Sequence, residues 1–166
     1  MLNIATRTVL RASPARIARA TTNYLPSRSI ITLKEPKYTA HATAKGAGRN
    51  GHVEGEGLEL DMATPKALGG SGKGSNPEQL FAMGYASCLL GAIQLVANKA
   101  GKKEMAKKAV VHASVHIGEP TDMPGFGLAV DLKVEGVDDE VLKAGHEFCP
   151  YSRALKHGVV VNISKA

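Results

Sequence analysis

Two cysteines, one arginine and one glutamate are the residues of this chain that could together perform redox chemistry. Cys88 lies within a long uncharged run, and Cys149 directly precedes a proline. Burial raises the pKa of a thiol, so Cys88 would need a nearby cation to become a nucleophile. Arg49 is the candidate cation, because its guanidinium could also bind a peroxide oxygen, and Glu78 could hold it through a bidentate ion pair. Taken alone, these residues leave open that both cysteines are core residues and that Arg49 is a solvated turn residue.

The uncharged run around the first cysteine predicts one long central helix. Asn76 is a suitable N-cap, Pro77 suits the first helical position, and Gly101 is a ready left-handed terminator. Between Leu80 and Ala97 no side chain is charged and apolar residues occur on every face, so the rest of the fold must wrap the helix. The run reaches the lower length limit of a membrane span, but its small and polar residues lower the hydropathy. We therefore expect no membrane span.

Helical geometry places a condition on the site. Glu78 and Cys88 are ten residues apart, which corresponds to about 15 Å along a straight helix and roughly 80° in direction. Three arrangements remain: an extended Arg49 spans the gap, the helix breaks near Gly84, or a second subunit supplies part of the site. We favour a break at Gly84, with the site at a dimer interface.

The second cysteine is expected between two helices. An aspartate at 138 or 139 caps a helix that reaches about Glu147, and Pro150 favours the first turn of a short helix that ends at Gly158. Cys149 is then at or beside an N-cap. Exposed amides and the positive end of the helix dipole promote thiol reactivity there.

Alternating apolar and polar residues predict antiparallel strands on both sides of the central helix. The predicted strands cover residues 38–44, 52–54, 58–62, 109–117, 126–134 and 159–163, and residues 102–108 are interpreted as a solvated connector. The predicted fold class is therefore α+β, with antiparallel sheets wrapped around a long helix in one domain over residues 35–166.

Residues 1–34 differ in composition from the rest of the chain. This segment has no acidic residue, and its 6 basic residues leave 15 basic against 15 acidic residues in the body; the basic ones are Arg7, Arg11, Arg16, Arg19, Arg28 and Lys34. An Arg-rich leader without acids is typical of a mitochondrial transit peptide, whereas a nucleic-acid-binding arm usually accompanies a basic domain. We expect a cleaved leader, a mitochondrial matrix location and no nucleic-acid partner. In such a reducing compartment we expect the cysteines to be reactive or core residues and not a structural disulfide.

The four candidate residues lie in motifs that resemble the organic hydroperoxide resistance branch of the OsmC-like family. Arg49 lies in a Gly-rich loop, Glu78 belongs to Asn-Pro-Glu-Gln-Leu-Phe, Cys88 ends Gly-Tyr-Ala-Ser-Cys, and Cys149 begins Cys-Pro-Tyr-Ser. The similarity covers roughly residues 38–163. It implies a thiol peroxidase that reduces organic hydroperoxides, including those of fatty acids, to alcohols. By this resemblance Cys88 is the peroxidatic cysteine, Cys149 the resolving cysteine, and Arg49 and Glu78 the activating pair.

The resemblance also carries expectations about partners and chemistry. Cys88 would form a sulfenic acid and then a disulfide with Cys149, and a dithiol would reduce that disulfide. The implied reductant is a lipoyl group on a partner protein, the implied assembly is an intertwined homodimer, and neither a metal nor a nucleotide cofactor is needed. Two alternatives use the same residues: a non-enzymatic thiol redox sensor, and a small-ligand binding module with inert cysteines.

Overall fold

Two antiparallel sheets and four α-helices make up residues 30–165, the part of the chain that this computed structural model describes. The first sheet has three strands in the order β1-β2-β3, and the second is a hairpin of β4 and β5. The strands are β1 (Thr43–Lys45), β2 (His52–Gly55), β3 (Leu58–Asp61), β4 (Val110–Gly118) and β5 (Gly127–Glu135). The helices are α1 (Pro77–Lys99), α2 (Lys103–Lys108), α3 (Asp139–Phe148) and α4 (Pro150–His157). Antiparallel sheets with a long central helix confirm the predicted fold class, and the intertwined homodimer stays a prediction.

Local signals determine both ends of α1. The Asn76 side chain accepts a hydrogen bond from the backbone N–H of Gln79 at 2.9 Å, and the Gln79 side chain accepts one from the Asn76 N–H at 3.0 Å. This reciprocal capping box satisfies two N–H groups at the start of the helix, where Pro77 has no N–H to satisfy. Just past the other end, Gly101 adopts a φ of +75°. The predicted helix is therefore confirmed at both ends.

One face of α1 carries the core of the chain. Its buried residues recur at helical spacing and pack mainly against α3 and β4; they are Tyr85, Leu89, Ala92, Ile93 and Ala97. These side chains occupy a single stripe along α1. The core therefore shields only that stripe of the helix from solvent.

The opposite face of α1 is uncharged and open in the single chain. The exposed residues follow a four-residue spacing: Gln79, Met83, Ser87, Gly91 and Leu95. Met83 is 69% exposed, although it lies in the middle of the helix's apolar run. Residues 30–165 thus cover only part of a helix that the sequence predicts to be wrapped on every side.

Within the described residues, α1 is also the one helix long and apolar enough to cross a membrane. Length and composition alone support that possibility, and the central helix of a water-soluble protein meets the same two criteria. The expected absence of a membrane span stays a prediction.

Residues 102–108 form a helix where the sequence analysis expected a solvated connector. α2 occupies Lys103–Lys108, and its Ala106 is buried with 4% exposure. The lysines of α2 itself are exposed around this one buried contact. The interpretation as a connector was wrong because it weighed the charges and not the apolar residues between them.

The predicted strand at residues 159–163 does not form in the described chain. Its only ladder contact is an isolated parallel bridge between Ile31 and Val159. β-branched residues favour a strand, but a strand also needs a hydrogen-bonding neighbour along its length. Val161 and Ile163 are 79% and 97% exposed. The predicted first strand is likewise shorter than expected, since β1 begins only at Thr43.

Helix α3 approaches α1 so closely at Gly145 that no side chain fits between them. A Cβ at Gly145 would lie 2.5 Å from Ile93 Cγ1. We expect Gly145→Ala to lower the free energy of unfolding by about 1–3 kcal/mol through overpacking, as measured by urea unfolding. The control is Glu147→Ala on the exposed surface of the same helix, which should change it by less than about 0.5 kcal/mol. Equal stability of the two variants would contradict the close packing.

Candidate active site

The two thiols are adjacent in the structure. Cys88 Sγ lies 3.5 Å from Cys149 Sγ, although 61 positions separate the residues in sequence. Cys149 is completely buried, whereas Cys88 is half-buried. A disulfide has an S–S distance of about 2.05 Å, so a relative movement of about 1.5 Å would join the two sulfurs. The pair can therefore interconvert between dithiol and disulfide without refolding, and Cys88 is the thiol that a solute can reach.

Cys149 lies where α3 ends and α4 begins. It is the C-cap of the first helix and the N-cap of the second, and Pro150 occupies the first turn of α4. Its N–H donates to the Gly145 carbonyl at 2.9 Å, and its carbonyl accepts from the Arg153 N–H at 3.0 Å. The predicted position at an N-cap is confirmed. Hydrogen bonds on both sides hold the backbone that carries this thiol.

The environment of Cys88 disfavours its thiolate within one chain. Burial is the largest effect and raises the pKa of the Cys88 thiol, while a hydrogen bond from the backbone N–H of Tyr151 lowers it. That N–H lies in the first turn of α4, where the helix leaves donors unpaired, so the helix start acts on Cys88. The adjacent Cys149 raises the pKa further, and no cation among the described residues contributes to it. Among the described residues, no charge therefore offsets the effect of burial on the pKa of Cys88.

Arg49 and Glu78 form an ion pair at the start of α1. The guanidinium Nη2 of Arg49 donates to Oε2 of Glu78, whose side chain is only 13% exposed. This hydrogen bond is the main reason that the pKa of Glu78 lies below its ordinary value, and the carboxylate stays charged at neutral pH. The predicted contact is present, but it joins one nitrogen to one oxygen where a bidentate pair was expected.

A tight Gly-rich loop presents Arg49. The loop forms a single 3-10 turn over Gly48–Asn50, and the Asn50 side chain accepts a hydrogen bond from the Thr64 N–H at 2.9 Å. A Cβ at Gly51 would lie 2.3 Å from the Lys45 carbonyl oxygen. The absence of a side chain at Gly51 allows the two ends of the loop to lie in contact, and this closed loop positions the backbone of Arg49.

The ion pair and the thiol pair are separate within one chain. α1 runs without interruption from Pro77 to Lys99, so the break expected at Gly84 is wrong. Continuous helix places Glu78 about 15 Å from Cys88 along the axis. Gly84 matters for packing instead. A Cβ there would lie 3.3 Å from the Tyr151 hydroxyl oxygen, so the absence of a side chain at Gly84 allows the Tyr151 ring to pack closely against α1.

Contacts around the thiols that the sequence analysis missed involve tyrosines. The Tyr151 ring stacks on Phe81 with centroids 6.1 Å apart, and the Tyr85 ring lies 5.8 Å from it. The Tyr85 hydroxyl donates to Ser152 Oγ at 2.9 Å. Spacing was the available signal, since Tyr85 lies three residues before Cys88 and Ser152 three residues after Cys149.

Comparison with known proteins identifies the relatives of this chain. The sequence model of the OsmC-like protein family matches residues 70–164. The organic hydroperoxide resistance protein of Xanthomonas axonopodis pv. citri is 42% identical over 78% of this chain and 94% of its own length. The organic hydroperoxide resistance protein OhrB of Bacillus subtilis is 36% identical over 76% of this chain and 96% of its own length.

Solved structures give the same result. The crystal structure of an organic hydroperoxide resistance protein from Legionella pneumophila superposes with a TM-score of 0.66 at 39% identity, over 77% of this chain and 96% of that one.

These relatives come from bacteria, which have no mitochondria, and they correct the expected mitochondrial matrix location, which is wrong. The predicted transit peptide lies largely outside the described residues and gains no support from the comparisons. The chain belongs to the OsmC-like family, in its branch of organic hydroperoxide resistance proteins.

Proposed function

We propose that the protein is a cysteine-based peroxidase that reduces organic hydroperoxides to alcohols. The observation that carries this proposal is the 3.5 Å separation of a half-buried Cys88 Sγ from a fully buried Cys149 Sγ. The names of the relatives support it, because they describe resistance to organic hydroperoxides. One accessible thiol with a second thiol directly behind it is the arrangement that a two-cysteine peroxidase requires.

The reaction needs two thiols and one external dithiol. The Cys88 thiolate attacks one peroxide oxygen, an S–O bond forms as the O–O bond breaks, and the alkoxide leaves and takes up a proton to become the alcohol. The Cys149 sulfur then attacks the sulfenic acid of Cys88, and the hydroxyl group leaves with a proton as water. A dithiol supplies two electrons and two protons to restore both thiols. Both sulfurs stay on the protein, the hydroperoxide is the oxidant and the dithiol is the reductant, so the sequence balances without a further cofactor.

A second copy of the chain is the proposed source of the activating charge. The midpoint of positions 78 and 88 is Met83, the most exposed apolar residue on α1. If two α1 helices pack antiparallel about a twofold axis near Met83, Glu78 of each lies level with Cys88 of the other along the helix axis. The uncharged stripe of α1 described above, with small residues at 87 and 91, suits such close packing. The homodimer would then complete a site that one chain leaves divided.

Once beside Cys88, the ion pair of Arg49 and Glu78 would do two things. The guanidinium stabilises the thiolate and so lowers the pKa of Cys88, and it donates hydrogen bonds to the peroxide oxygens as negative charge develops on the leaving group. Glu78 keeps the guanidinium oriented. Because the Glu78 side chain is largely buried, it holds the Arg49 guanidinium in one orientation.

The surroundings of the ion pair favour a substrate with an alkyl chain. A groove of about 410 Å³ lies beside Glu78. Its lining is mainly apolar and includes Pro65, Leu68, Ala82, Val115 and Ile117. An alkyl chain buried there gains hydrophobic free energy that hydrogen peroxide cannot gain. We therefore assign the substrate class as organic hydroperoxides, including those of fatty acids.

The accessibility of the thiols also bears on the reductant. Cys149 is completely buried, so a reductant must attack the disulfide at Cys88. A slender dithiol on a flexible arm, such as a lipoyl group on a partner protein, can reach a half-buried sulfur more easily than a thiol within a folded protein surface. This supports a lipoyl group as the physiological reductant.

The test is turnover with a series of primary alkyl hydroperoxides, with excess dihydrolipoamide as reductant and hydrogen peroxide as the reference substrate. We expect kcat/KM to rise by about fourfold for each methylene that enters the groove, which corresponds to about 0.8 kcal/mol per buried methylene. Equal rates for hydrogen peroxide and the longest chain would contradict the substrate assignment. Oxidation that stops after one equivalent in the presence of dithiol would indicate a redox sensor, and absence of any disulfide would indicate a binding module with inert cysteines.

A further inference from the structure

A buried hydrogen bond joins the two helices that carry the cysteines, and the proposed chemistry does not use it. The Tyr85 hydroxyl donates to Ser152 Oγ at 2.9 Å across 67 positions of sequence. Tyr85 is 2% exposed and Ser152 is 3% exposed. A polar pair so deeply buried is costly unless the geometry is kept, because a broken bond leaves both hydroxyls without water.

The pair lies one helical turn from each thiol. Tyr85 precedes Cys88 by three residues on α1, and Ser152 follows Cys149 by three residues at the start of α4. Residues three apart share a helix face, so the hydroxyl pair and the thiol pair are two successive links between the same two helices. A sliding of α4 along α1 therefore changes the geometry of both links.

The remaining contacts between these helix segments resist sliding less well. The Tyr151 ring stacks on Phe81 and covers Gly84, but stacked rings and apolar contacts tolerate shifts of an ångström or more. An O–H···O bond weakens steeply when it is stretched or bent. Closing the gap between Cys149 and Cys88 needs a movement of about 1.5 Å in a defined direction, which a sliding α4 would not provide reliably.

Resting on the proposed peroxidase function, we infer that Tyr85 and Ser152 are positioning residues for disulfide formation. They contact neither the peroxide nor the sulfurs in the reaction. Their hydrogen bond holds the first turn of α4 against α1, so that the Cys149 sulfur is aligned for attack on the sulfenic acid of Cys88. We expect the attack of Cys88 on peroxide to depend less on the pair, because Cys88 lies on α1 and the proposed activating cation, Arg49, lies outside both helices.

The inference has a chemical consequence for the sulfenic acid. When disulfide formation is slow, the sulfenic acid of Cys88 persists and can react with a second hydroperoxide. That reaction oxidises the sulfur to sulfinic acid and releases a second alcohol, and external dithiols do not reverse it. The hydroxyl pair would therefore protect the enzyme from inactivation by its own substrate.

The experiment compares Tyr85→Phe, Ser152→Ala and the double variant with the wild type in single-turnover reactions of the full chain. Peroxide loss reports the first step, and formation of the Cys88–Cys149 disulfide reports the second. We expect each single variant to consume peroxide within about twofold of the wild-type rate and to form the disulfide about tenfold more slowly. Dimedone should trap sulfenic acid in these variants, and mass spectrometry should detect sulfinic acid after several turnovers.

Three further variants separate positioning from general damage. Ser152→Thr keeps the hydroxyl and should restore much of the rate of disulfide formation lost in Ser152→Ala. The double variant should be no slower than the slower single variant, because both remove the same bond. Tyr38→Phe removes an exposed hydroxyl that donates to Glu56 and is the remote control; it should leave both steps unchanged.

Disulfide formation at the wild-type rate in Tyr85→Phe would overturn the inference. So would an equal slowing of both steps, since that would indicate damage to the fold rather than loss of alignment. If the wild-type chain neither consumes peroxide nor forms the Cys88–Cys149 disulfide, the proposed function fails first, and the inference fails with it.

Discussion

Replacing Cys88 with serine is expected to lower the rate of organic hydroperoxide reduction by about 10³-fold or more, because the hydroxyl of serine does not supply the nucleophile. Cys88 is the half-buried member of the thiol pair, and its sulfur accepts a hydrogen bond from the Tyr151 N–H in the first turn of α4. Serine is nearly isosteric, so the fold should remain. The measurement is peroxide consumption with excess dihydrolipoamide, accompanied by thermal unfolding to verify the fold.

Cys149→Ser is the matched control for this prediction. The variant keeps Cys88 and should consume one equivalent of peroxide at close to the wild-type rate. Its sulfenic acid has no partner thiol, so dimedone should label Cys88 and no intramolecular disulfide should form. If Cys88→Ser retained turnover while Cys149→Ser lost the first step, the roles of the two cysteines would have to be exchanged.

The ends and positions of α1, α3 and α4 were predictable from the sequence because their signals are local. The capping box at Asn76, the terminator at Gly101 and the N-cap position of Cys149 each depend on residues within one turn of the chain. The hairpin of β4 and β5 was also predictable, since its alternating pattern extends over nine paired positions. These elements bring the two cysteines to within reach of each other.

Contacts between distant parts of the chain were not predictable in the same way. The bond from Tyr85 to Ser152 spans 67 positions, and although each hydroxyl lies three residues from a cysteine, nothing in the sequence pairs one with the other. The β-branched residues at 159–163 predicted a strand, but a strand forms only where a neighbour pairs with it, and pattern does not reveal the neighbour. The break at Gly84 was expected because a straight helix keeps Glu78 and Cys88 apart, and the dimer interface was expected with it. The helix is unbroken, so the expected break was wrong and the separation within one chain remains.

Removing the charge of Arg49 is expected to have the next largest effect. We expect Arg49→Ala to lower kcat/KM for an alkyl hydroperoxide by about 10²- to 10³-fold, since the variant loses the donor that stabilises both the thiolate and the leaving alkoxide. Loss of a cation beside a thiol raises the pKa of that thiol. The pH at which the rate of Cys88 alkylation by iodoacetamide reaches half its maximum should therefore be higher in the variant than in the wild type. The exposed Arg153→Ala is the matched control and should change neither quantity appreciably.

Mixed dimers decide which chain supplies Arg49. One variant carries Cys88→Ser with Arg49 intact, and the other carries Arg49→Ala with Cys88 intact; each alone should be almost inactive. If the ion pair of Arg49 and Glu78 acts on Cys88 of the second copy, a mixed dimer contains one complete site. Random pairing of equal amounts then gives about a quarter of the wild-type activity, because half of the dimers are mixed and each has one of two sites.

The same mixture stays inactive if each chain activates its own cysteine, since no chain then has both residues. Continuous helix over ten residues, with Glu78 about 15 Å from Cys88 along the axis, argues against that arrangement. The exposed, uncharged stripe of α1 around Met83 is the surface on which we expect the second copy to pack. We therefore expect recovery of activity on mixing, and we expect Met83→Lys, which puts a charge at the proposed twofold axis, to abolish both the dimer and the recovery.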